Sequence, residues 1–334
     1  MARVVVTGGA GYVGSHAVRA LLDGGHAVAV VDDLSAGHAE AVPPDVSLTR
    51  ANIHDTETVR GVLEDHGADA VMHFAAWLTV NESVHKPLDY YKNNVGGTLS
   101  VLDAMRAAGV RRFVFSSTCA VYGQPPTMPI LESFEKQPAN AYGETKLAVE
   151  RALPHLERAY GLRWIALRYF NAAGAHPSGE IGEDHDPEIH LIPLAIRAAN
   201  GGTPLKVFGQ DYPTPDGTCL RDYIHVCDLA EAHLRALAAL DGGAPSAAYN
   251  VGTGTAHSVR SVIDTVSRVI GRPVAWEPAP RREGDPAELR ASSERAQRAL
   301  GWRPRFADLE TIVGHAWLWH STHPRGYTVS DTGR

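Results

Sequence analysis

Cysteine is scarce in this chain. Its 334 residues contain three, Cys119, Cys219 and Cys227. Three cannot all pair with one another, and a chain of this length needs no covalent staples, so a reducing compartment is expected. Positive charge is in deficit as well. The formal net charge of −7 sets aside nucleic acid and anionic membranes as main partners, although a local arginine cluster can still receive an anionic ligand. No apolar run reaches membrane-spanning length, and the first strand-like run starts almost at Met1, with no leader-like segment before it. The expectation is a soluble, cytoplasmic protein that spans no membrane. Internal repeats and low-complexity tracts are absent too. What is present is a hydrophobic content of 44%, ample for a core, in a length that fits two closely joined domains.

The first half alternates two periodicities. Strands are expected at 3–7, 27–31, 47–50, 70–73, 112–116 and 163–168. Helices are expected between them, most clearly at 13–23, 56–65, 89–108 and 141–160. Such alternation predicts an α/β fold with a doubly wound parallel Rossmann sheet, whose ligands bind beyond the carboxyl ends of the strands. Thr7, Asp32, His73 and Ser116 end strands, so their loops converge on one rim. After Asn171 the texture changes: residues 172–190 and 209–221 are rich in Gly, Pro, Asp and His, which suggests a smaller α/β substrate-binding domain. Residues 324–334 read as a polar, frayed end.

The chain opens with Val4-Val5-Val6-Thr7-Gly8-Gly9-Ala10-Gly11-Tyr12-Val13-Gly14. An apolar run enters a glycine-rich turn and leaves as a helix. Gly8 allows the tight turn, Gly11 lets a pyrophosphate approach the backbone, and Gly14 lets helix and strand pack closely. Asp32 ends the second strand, where a carboxylate bonds a ribose 2′-OH and repels a 2′-phosphate, favouring NAD over NADP.

A second constellation lies further on. Thr118 closes Phe115-Ser116-Ser117-Thr118, and Tyr142 and Lys146 stand one helical turn apart on one face. An ammonium beside a phenol favours the phenolate, which makes tyrosine a usable base near neutral pH. A Thr hydroxyl can bond the same reacting oxygen.

Together these residues resemble the extended short-chain dehydrogenase/reductase family, over nearly the whole chain. Within it, the branch of UDP-hexose 4-epimerases is the nearest likeness. It is carried by His73-Phe74-Ala75-Ala76, Tyr91-Lys92-Asn93-Asn94-Val95-Gly96-Gly97-Thr98, Arg168-Tyr169-Phe170-Asn171, Asp211-Tyr212-Pro213-Thr214-Pro215-Asp216-Gly217-Thr218, Arg221-Asp222-Tyr223-Ile224-His225-Val226 and Arg281-Arg282-Glu283-Gly284-Asp285. The resemblance implies an NAD-binding domain over residues 1–171 with a returning segment at about 222–252, a UDP-sugar domain over 172–221 and 253–325, and a homodimer. It implies Thr118, Tyr142 and Lys146 as catalytic. The cofactor contacts would be Gly8, Gly11, Tyr12, Val13, Gly14, Asp32, Asn52, Ile53, Phe74, Ala75, Ala76, Asn94, Ser116, Tyr142, Lys146 and Tyr169. Substrate would meet Thr118, Tyr142, Asn171, His190, Leu191, Lys206, Val207, Phe208, Arg221, Tyr223, Arg282, Asp285 and Leu289. In this picture Asn171, Arg221 and Arg282 hold the diphosphate, Asp285 the uridine ribose, Phe208 stacks on uracil, and Leu289 borders the sugar C2 group. The implied reaction is a redox loop: Tyr142 takes the 4-hydroxyl proton, the C4 hydride passes to NAD, the keto sugar turns over, and the hydride returns to its other face.

Where related 4,6-dehydratases carry Asp-Glu after the threonine, this chain has Cys119-Ala120, so water elimination lacks its acid and base. Asn52 replaces a common Asp and Leu78 a common Lys, changes that bear on cofactor affinity. The stretch 184–190, with His185 and His190, matches no helix or finger metal pattern, so no metal is expected there. The alternatives are an epimerase of N-acetylated or pentose UDP-sugars, a dehydratase, or a non-catalytic NAD sensor on the same fold.

Overall fold

The computed structural model describes residues 1–282 and 284–327. Of the end expected to fray, 324–334, residues 328–334 lie outside the described residues, while Tyr327 is docked: its N–H donates to the Asp184 carboxylate at 2.8 Å and its ring stacks on His38 at 4.9 Å. Among the described residues the strands are β1 (Arg3–Thr7), β2 (Ala27–Asp32), β3 (Ser47–Arg50), β4 (Ala70–His73), β5 (Arg112–Thr118), β6 (Arg163–Tyr169), β7 (Asn171–Ala173), β8 (Leu205–Phe208), β9 (Leu220–His225), β10 (Ala247–Val251), β11 (Ala256–Ser258), β12 (Trp276–Ala279) and β13 (Glu288–Leu289). Seven of them form one parallel sheet in the order β10-β6-β5-β4-β1-β2-β3. Helices cover both faces, so strand residues are apolar without alternation. Val4 and Val6 feed one core cluster and Val5 the opposite one. The strand order reverses between β1 and β4, and the crevice there is the expected ligand rim. The edge is fixed by a buried ladder: the Thr7 hydroxyl meets His73 Nδ1 at 2.7 Å and His73 Nε2 meets the Thr98 hydroxyl at 2.9 Å.

The expected single helix over 89–108 is broken. A short helix Pro87–Tyr90 passes into a π-helical turn, Tyr91–Gly96, before Gly97–Ala107 resumes. A methyl at Gly97 would stand 2.5 Å from Ile53 Cδ1, so the glycine admits close packing there. Inside the π turn, the Asn94 amide donates to the Trp77 carbonyl at 3.0 Å and accepts its N–H at 2.8 Å. π turns of this kind recur at functional sites.

The second half builds a four-stranded sheet (β7, β9, β11, β13) and a β8–β12 pair. Helices Leu191–Ala199, Val259–Ile270 and Leu309–Thr322 pack around Ile192, Val207, Val262 and Ile312. The chain then returns to the large sheet: helix Val226–Asp241 lies against helix Tyr12–Asp23, and β10 pairs with β6. Asp228 fastens the C-terminal segment to that helix by accepting the N–H groups of Arg305 (2.9 Å) and Phe306 (2.8 Å). Among the described residues no helix is long and apolar enough to cross a membrane.

Behind β5 sits a buried polar network. Glu150, on helix Ala141–Tyr160, forms an ion pair with Arg168 of β6 at 2.5 Å. It also accepts the Ser117 hydroxyl at 2.5 Å. Arg168 donates to the Tyr122 hydroxyl (2.7 Å), which donates to the Asn250 side-chain carbonyl of β10 (2.7 Å). Removing one partner of such a pair leaves the other charge buried and alone. Arg168→Met is expected to cost about 3–5 kcal/mol of stability in urea unfolding; a loss under ~1 kcal/mol would contradict the network's role.

Candidate functional site

The glycine-rich turn is built to receive a group. Gly8 has φ +75, and a Cβ on it would stand 2.4 Å from the Ala75 nitrogen. A Cβ on Gly14 would stand 2.0 Å from the Gly8 carbonyl oxygen. Gly11 caps helix Tyr12–Asp23 without a side-chain bond, which leaves the helix N–H groups to an anion. Asp32 accepts the Ala10 N–H and the Leu34 N–H, both at 2.9 Å, so its carboxylate is fixed at the end of β2, and burial raises its pKa. Phe74 and Ala75 follow β4 with their N–H groups on the Thr7 carbonyl. These residues fit a dinucleotide. Asn52 is already engaged, donating to Asp33 just after β2 at 2.8 Å and accepting the His54 N–H of its own turn at 3.0 Å. The Ile53 side chain is in the core, and Leu78 is partly exposed.

The catalytic candidates stand beside this cradle. Asn140 caps helix Ala141–Tyr160 by accepting the Gly143 N–H at 2.9 Å, which sets Tyr142 in the first turn. A Cβ on Gly143 would lie 2.7 Å from the Ala120 carbonyl oxygen, so this glycine lets the helix approach the turn after Thr118. Burial pushes the Tyr142 phenol well above its ordinary pKa and Tyr169 adds to this, while a hydrogen bond with Thr118 pulls the other way. The Lys146 ammonium donates to the Ser116 carbonyl at 2.9 Å, over the Phe115 ring, and burial lowers its pKa to about 7. Burial and then Lys146 hold His73 down at about 3, a neutral bridge between two threonines. Tyr169 shares a hydrogen bond with the Ser116 hydroxyl. Asn94 reaches Thr145 at 3.2 Å and so touches the same helix. Cys119 packs with Leu289 against Val121, Tyr122 and Ile130, and burial pushes its thiol up to about 12.

Adjoining strands collect the expected substrate residues. In register, Asn171 faces Tyr223 across β7–β9 and Leu289 faces Arg221 across β13–β9. The Asn171 amide donates to the Asp222 carbonyl at 3.2 Å. Arg221 is ion-paired with Asp285, so the two residues expected to hold diphosphate and ribose hold each other here. The two loop arginines separate cleanly. Arg281 pairs with Asp211 at 2.6 Å and lies on the Tyr212 ring, whereas Arg282 lies 4.0 Å over the Phe208 ring. On β8, Lys206 and Phe208 share the outward face, but the Val207 side chain is fully buried in the core; only its main chain can meet a nucleotide. Tyr223 is likewise buried in that core. His190 immediately precedes helix Leu191–Ala199.

Sequence reasoning missed three parts of this arrangement. Glu150 lies one turn beyond Lys146 on the Tyr142 face, a spacing that could have found it. Asp222 accepts from Thr253, Gly254 and Ala291 and ties two loops to β9, a role that no local pattern announces. The stretch set aside for lack of a metal spacing brings Glu183, His185, Glu188 and His190 to one point.

A glycine cradle at the switch point of a doubly wound sheet, beside a Thr, Tyr and Lys set, defines a dinucleotide-dependent enzyme class. Residues 4–252 match the NAD dependent epimerase/dehydratase family, and the chain belongs to that family. It is similar to the UDP-glucose 4-epimerase of Halalkalibacterium halodurans, with 50% identity over 329 residues and 98% of each chain covered. The structure of UDP-glucose 4-epimerase from Brucella ovis in complex with NAD superposes with TM-score 0.93 at 46% identity, covering 95% of this chain and 98% of that one. That of the Bifidobacterium longum enzyme in complex with NAD+ and UDP gives 0.92 at 35% identity, covering 97% and 99%.

The cradle geometry makes a direct prediction. Gly14→Ala must displace the Gly8 carbonyl, and overpacking of this kind costs at least the ~1.4 kcal/mol of a tenfold loss. NAD affinity by calorimetry should fall at least about tenfold; unchanged affinity would contradict the placement of the cofactor.

Proposed function

We propose that this protein is an NAD-dependent UDP-hexose 4-epimerase that interconverts UDP-galactose and UDP-glucose. What supports the reading is Tyr142 beside Thr118, with Lys146 one helical turn on and bonded to the Ser116 carbonyl, and Cys119 and Ala120 where an elimination would need an acid and a base. NAD, when bound, supplies a reversible hydride acceptor for C4. The chain's own residues do the rest. The Tyr142 phenolate takes the proton of the 4-hydroxyl and returns it, one proton out and one back, so no net change in redox or charge results. The Thr118 hydroxyl bonds the same oxygen and orients it. Lys146 holds the Ser116 carbonyl and would reach the cofactor ribose, and its charge opposes the rise that burial imposes on the Tyr142 phenol. Arg221 receives the diphosphate by exchanging its Asp285 partner for it, which frees Asp285 for the uridine ribose. Arg282 approaches from the Phe208 side, leaving Arg281 to brace the loop against Asp211. Under this reading Cys119, with its raised pKa, carries no proton transfer at neutral pH.

Residues 1–171, with the return at 222–252, serve as the NAD domain and the remainder as the UDP-sugar domain. The free cysteines support a reducing, cytoplasmic setting. We also infer a homodimer. On helices Gly97–Ala107 and Ala141–Tyr160, whose counterparts would pair in such a dimer, Leu102, Leu147 and Val149 are buried in the chain's own core and Leu156 packs against it. Leu99 remains exposed, together with Leu88 and Tyr91 on the preceding turns, and these are the surface that supports pairing. Solution scattering at micromolar concentration should give the dimer mass; a wholly monomeric mass contradicts the inference.

Incubation with UDP-galactose without added reductant should yield UDP-glucose by NMR. A 4-keto-6-deoxy product would favour a dehydratase, and no turnover on any UDP-sugar would favour an NAD sensor. Tyr142→Phe should lose ~10²–10⁴ in rate while keeping NAD and UDP-sugar affinity; near wild-type turnover would remove Tyr142 as the base. Lys146→Met should raise the apparent pKa of the pH–rate profile, and an unshifted profile would mean that the lysine acts by positioning alone. Leu289, between Cys119 and Arg221, is read as the gate for the C2 substituent. It is bulky enough to disfavour N-acetylated substrates by about 1–3 kcal/mol. Leu289→Ser should raise relative turnover of UDP-N-acetylglucosamine; an unmoved preference removes Leu289 as the gate.

A further inference from the structure

The loop before helix Leu191–Ala199 holds four side chains that the epimerase chemistry does not use as a set. Glu183, His185, Glu188 and His190 each present one nitrogen or oxygen, and all four atoms lie within 4.8 Å of one another. The two carboxylates are enclosed, with the Glu183 side chain 4% and the Glu188 side chain 0% exposed. Their surroundings leave one oxygen of each without a hydrogen-bond partner. Glu183 Oε1, Glu188 Oε2, His185 Nδ1 and His190 Nδ1 have no hydrogen-bond partner, although the rings and carboxylates approach closely. Buried polar atoms in native structures are seldom left so, and Glu183 Oε1, His185 Nδ1 and His190 Nδ1, gathered with the Glu188 carboxylate at one point, call for an occupant.

The separations identify its size. Four ligands at ~2.1 Å from a tetrahedral ion lie about 3.4 Å apart. His185 Nδ1 is 3.3 Å from Glu183 Oε1 and 3.7 Å from Glu188 Oε1, and His190 Nδ1 is 3.5 Å from Glu188 Oε1. Another of the six separations, His190 Nδ1 to Glu183 Oε1, is 2.5 Å and must open by about 1 Å. His190 is the ligand free to move, being the most exposed of the four at 40%. Glu188 is already oriented, because its Oε1 accepts the N–H groups of Ile189 (2.7 Å) and His190 (2.9 Å). Such outer bonds hold a metal-ligating carboxylate in place. Two imidazoles with two carboxylates suit a first-row divalent ion and not Mg²⁺ or Ca²⁺, which take oxygen alone.

We propose that Glu183, His185, Glu188 and His190 form a structural site for a divalent transition ion, Zn²⁺ by its closed four-ligand geometry. The ion braces the substrate loop against the cofactor turn, since the His185 ring lies edge-on to Tyr12 at 6.2 Å and the Tyr12 hydroxyl donates to the Gly174 carbonyl at 2.6 Å. With no open position, it takes no part in the chemistry at C4.

The test uses full-length protein stripped with EDTA and titrated with Co²⁺, then with Zn²⁺. One Co²⁺ per chain is expected, with the visible absorption bands of a tetrahedral ion, and Zn²⁺ should displace it mole for mole. His185→Ala and Glu183→Gln should each weaken binding at least about tenfold. A wild-type protein that shows no visible bands and takes up no Zn²⁺ by mass spectrometry overturns the proposal. So do variants that fold, by circular dichroism, and bind both ions as wild type does. If His185→Ala fails to fold, the Co²⁺ spectrum of the wild type and the Glu183→Gln titration still decide.

Discussion

The placement of the catalytic helix depends on one buried ion pair. Tyr142, Lys146 and Glu150 share a face of helix Ala141–Tyr160, one turn apart. Glu150 meets Arg168 of β6, and with that contact the helix loses freedom both to rotate and to slide against the sheet. The same carboxylate accepts from Ser117, between Ser116, whose carbonyl holds Lys146, and Thr118, which acts on the Tyr142 phenol. One glutamate thus sets the three catalytic candidates in common register. Burying two charges is costly, and what offsets the cost here is saturation of the pair by Ser117, Tyr122 and, through Tyr122, Asn250. A hydrophobic pair could fill the same space but would not fix the helix at one phase.

A second constraint comes from the return of the chain. Helix Val226–Asp241 and β10 complete the large sheet after β7 and β9 have been laid down in the smaller one. Arg221, Asp222 and Tyr223 stand just ahead of that return. The candidate substrate residues on β9 are therefore tied through covalent chain and through Asp222 to the scaffold that carries the glycine turn. Geometry between cofactor and sugar is set by rigid elements, not by loops alone, which is what a reaction needing the same atom presented on both faces requires.

What the sequence made legible is what local chemistry determines. The glycine turn was readable because three backbone demands fall within seven residues, and Gly8 and Gly14 meet them by direct contact. The Tyr and Lys pair was readable from helical spacing. Strand ends were readable to within two residues, as for β5, which runs on to Thr118. The π turn at Tyr91–Gly96 was not, because it answers to Ile53 and Trp77, distant in sequence. Nor could periodicity say which apolar faces of two helices serve the chain's own core: Leu102, Leu147 and Val149 turned inward. The choice between Arg281 and Arg282 waited on the rings of Tyr212 and Phe208, placed by other strands. The Glu and His set at 183–190 escaped for the same reason, since its convergence comes from an irregular loop and not from a helical spacing.

The central claim is that C4 is inverted by removing and restoring its own hydrogen, with Tyr142 moving only the hydroxyl proton. The most direct measurement is turnover of UDP-galactose in D₂O, followed by NMR of the UDP-glucose formed. The account predicts that C4 of the product carries the protium it began with, because the hydrogen is held away from solvent and returned to carbon. Deuterium at C4 would mean that a solvent-exchangeable proton is removed there, and would contradict the account.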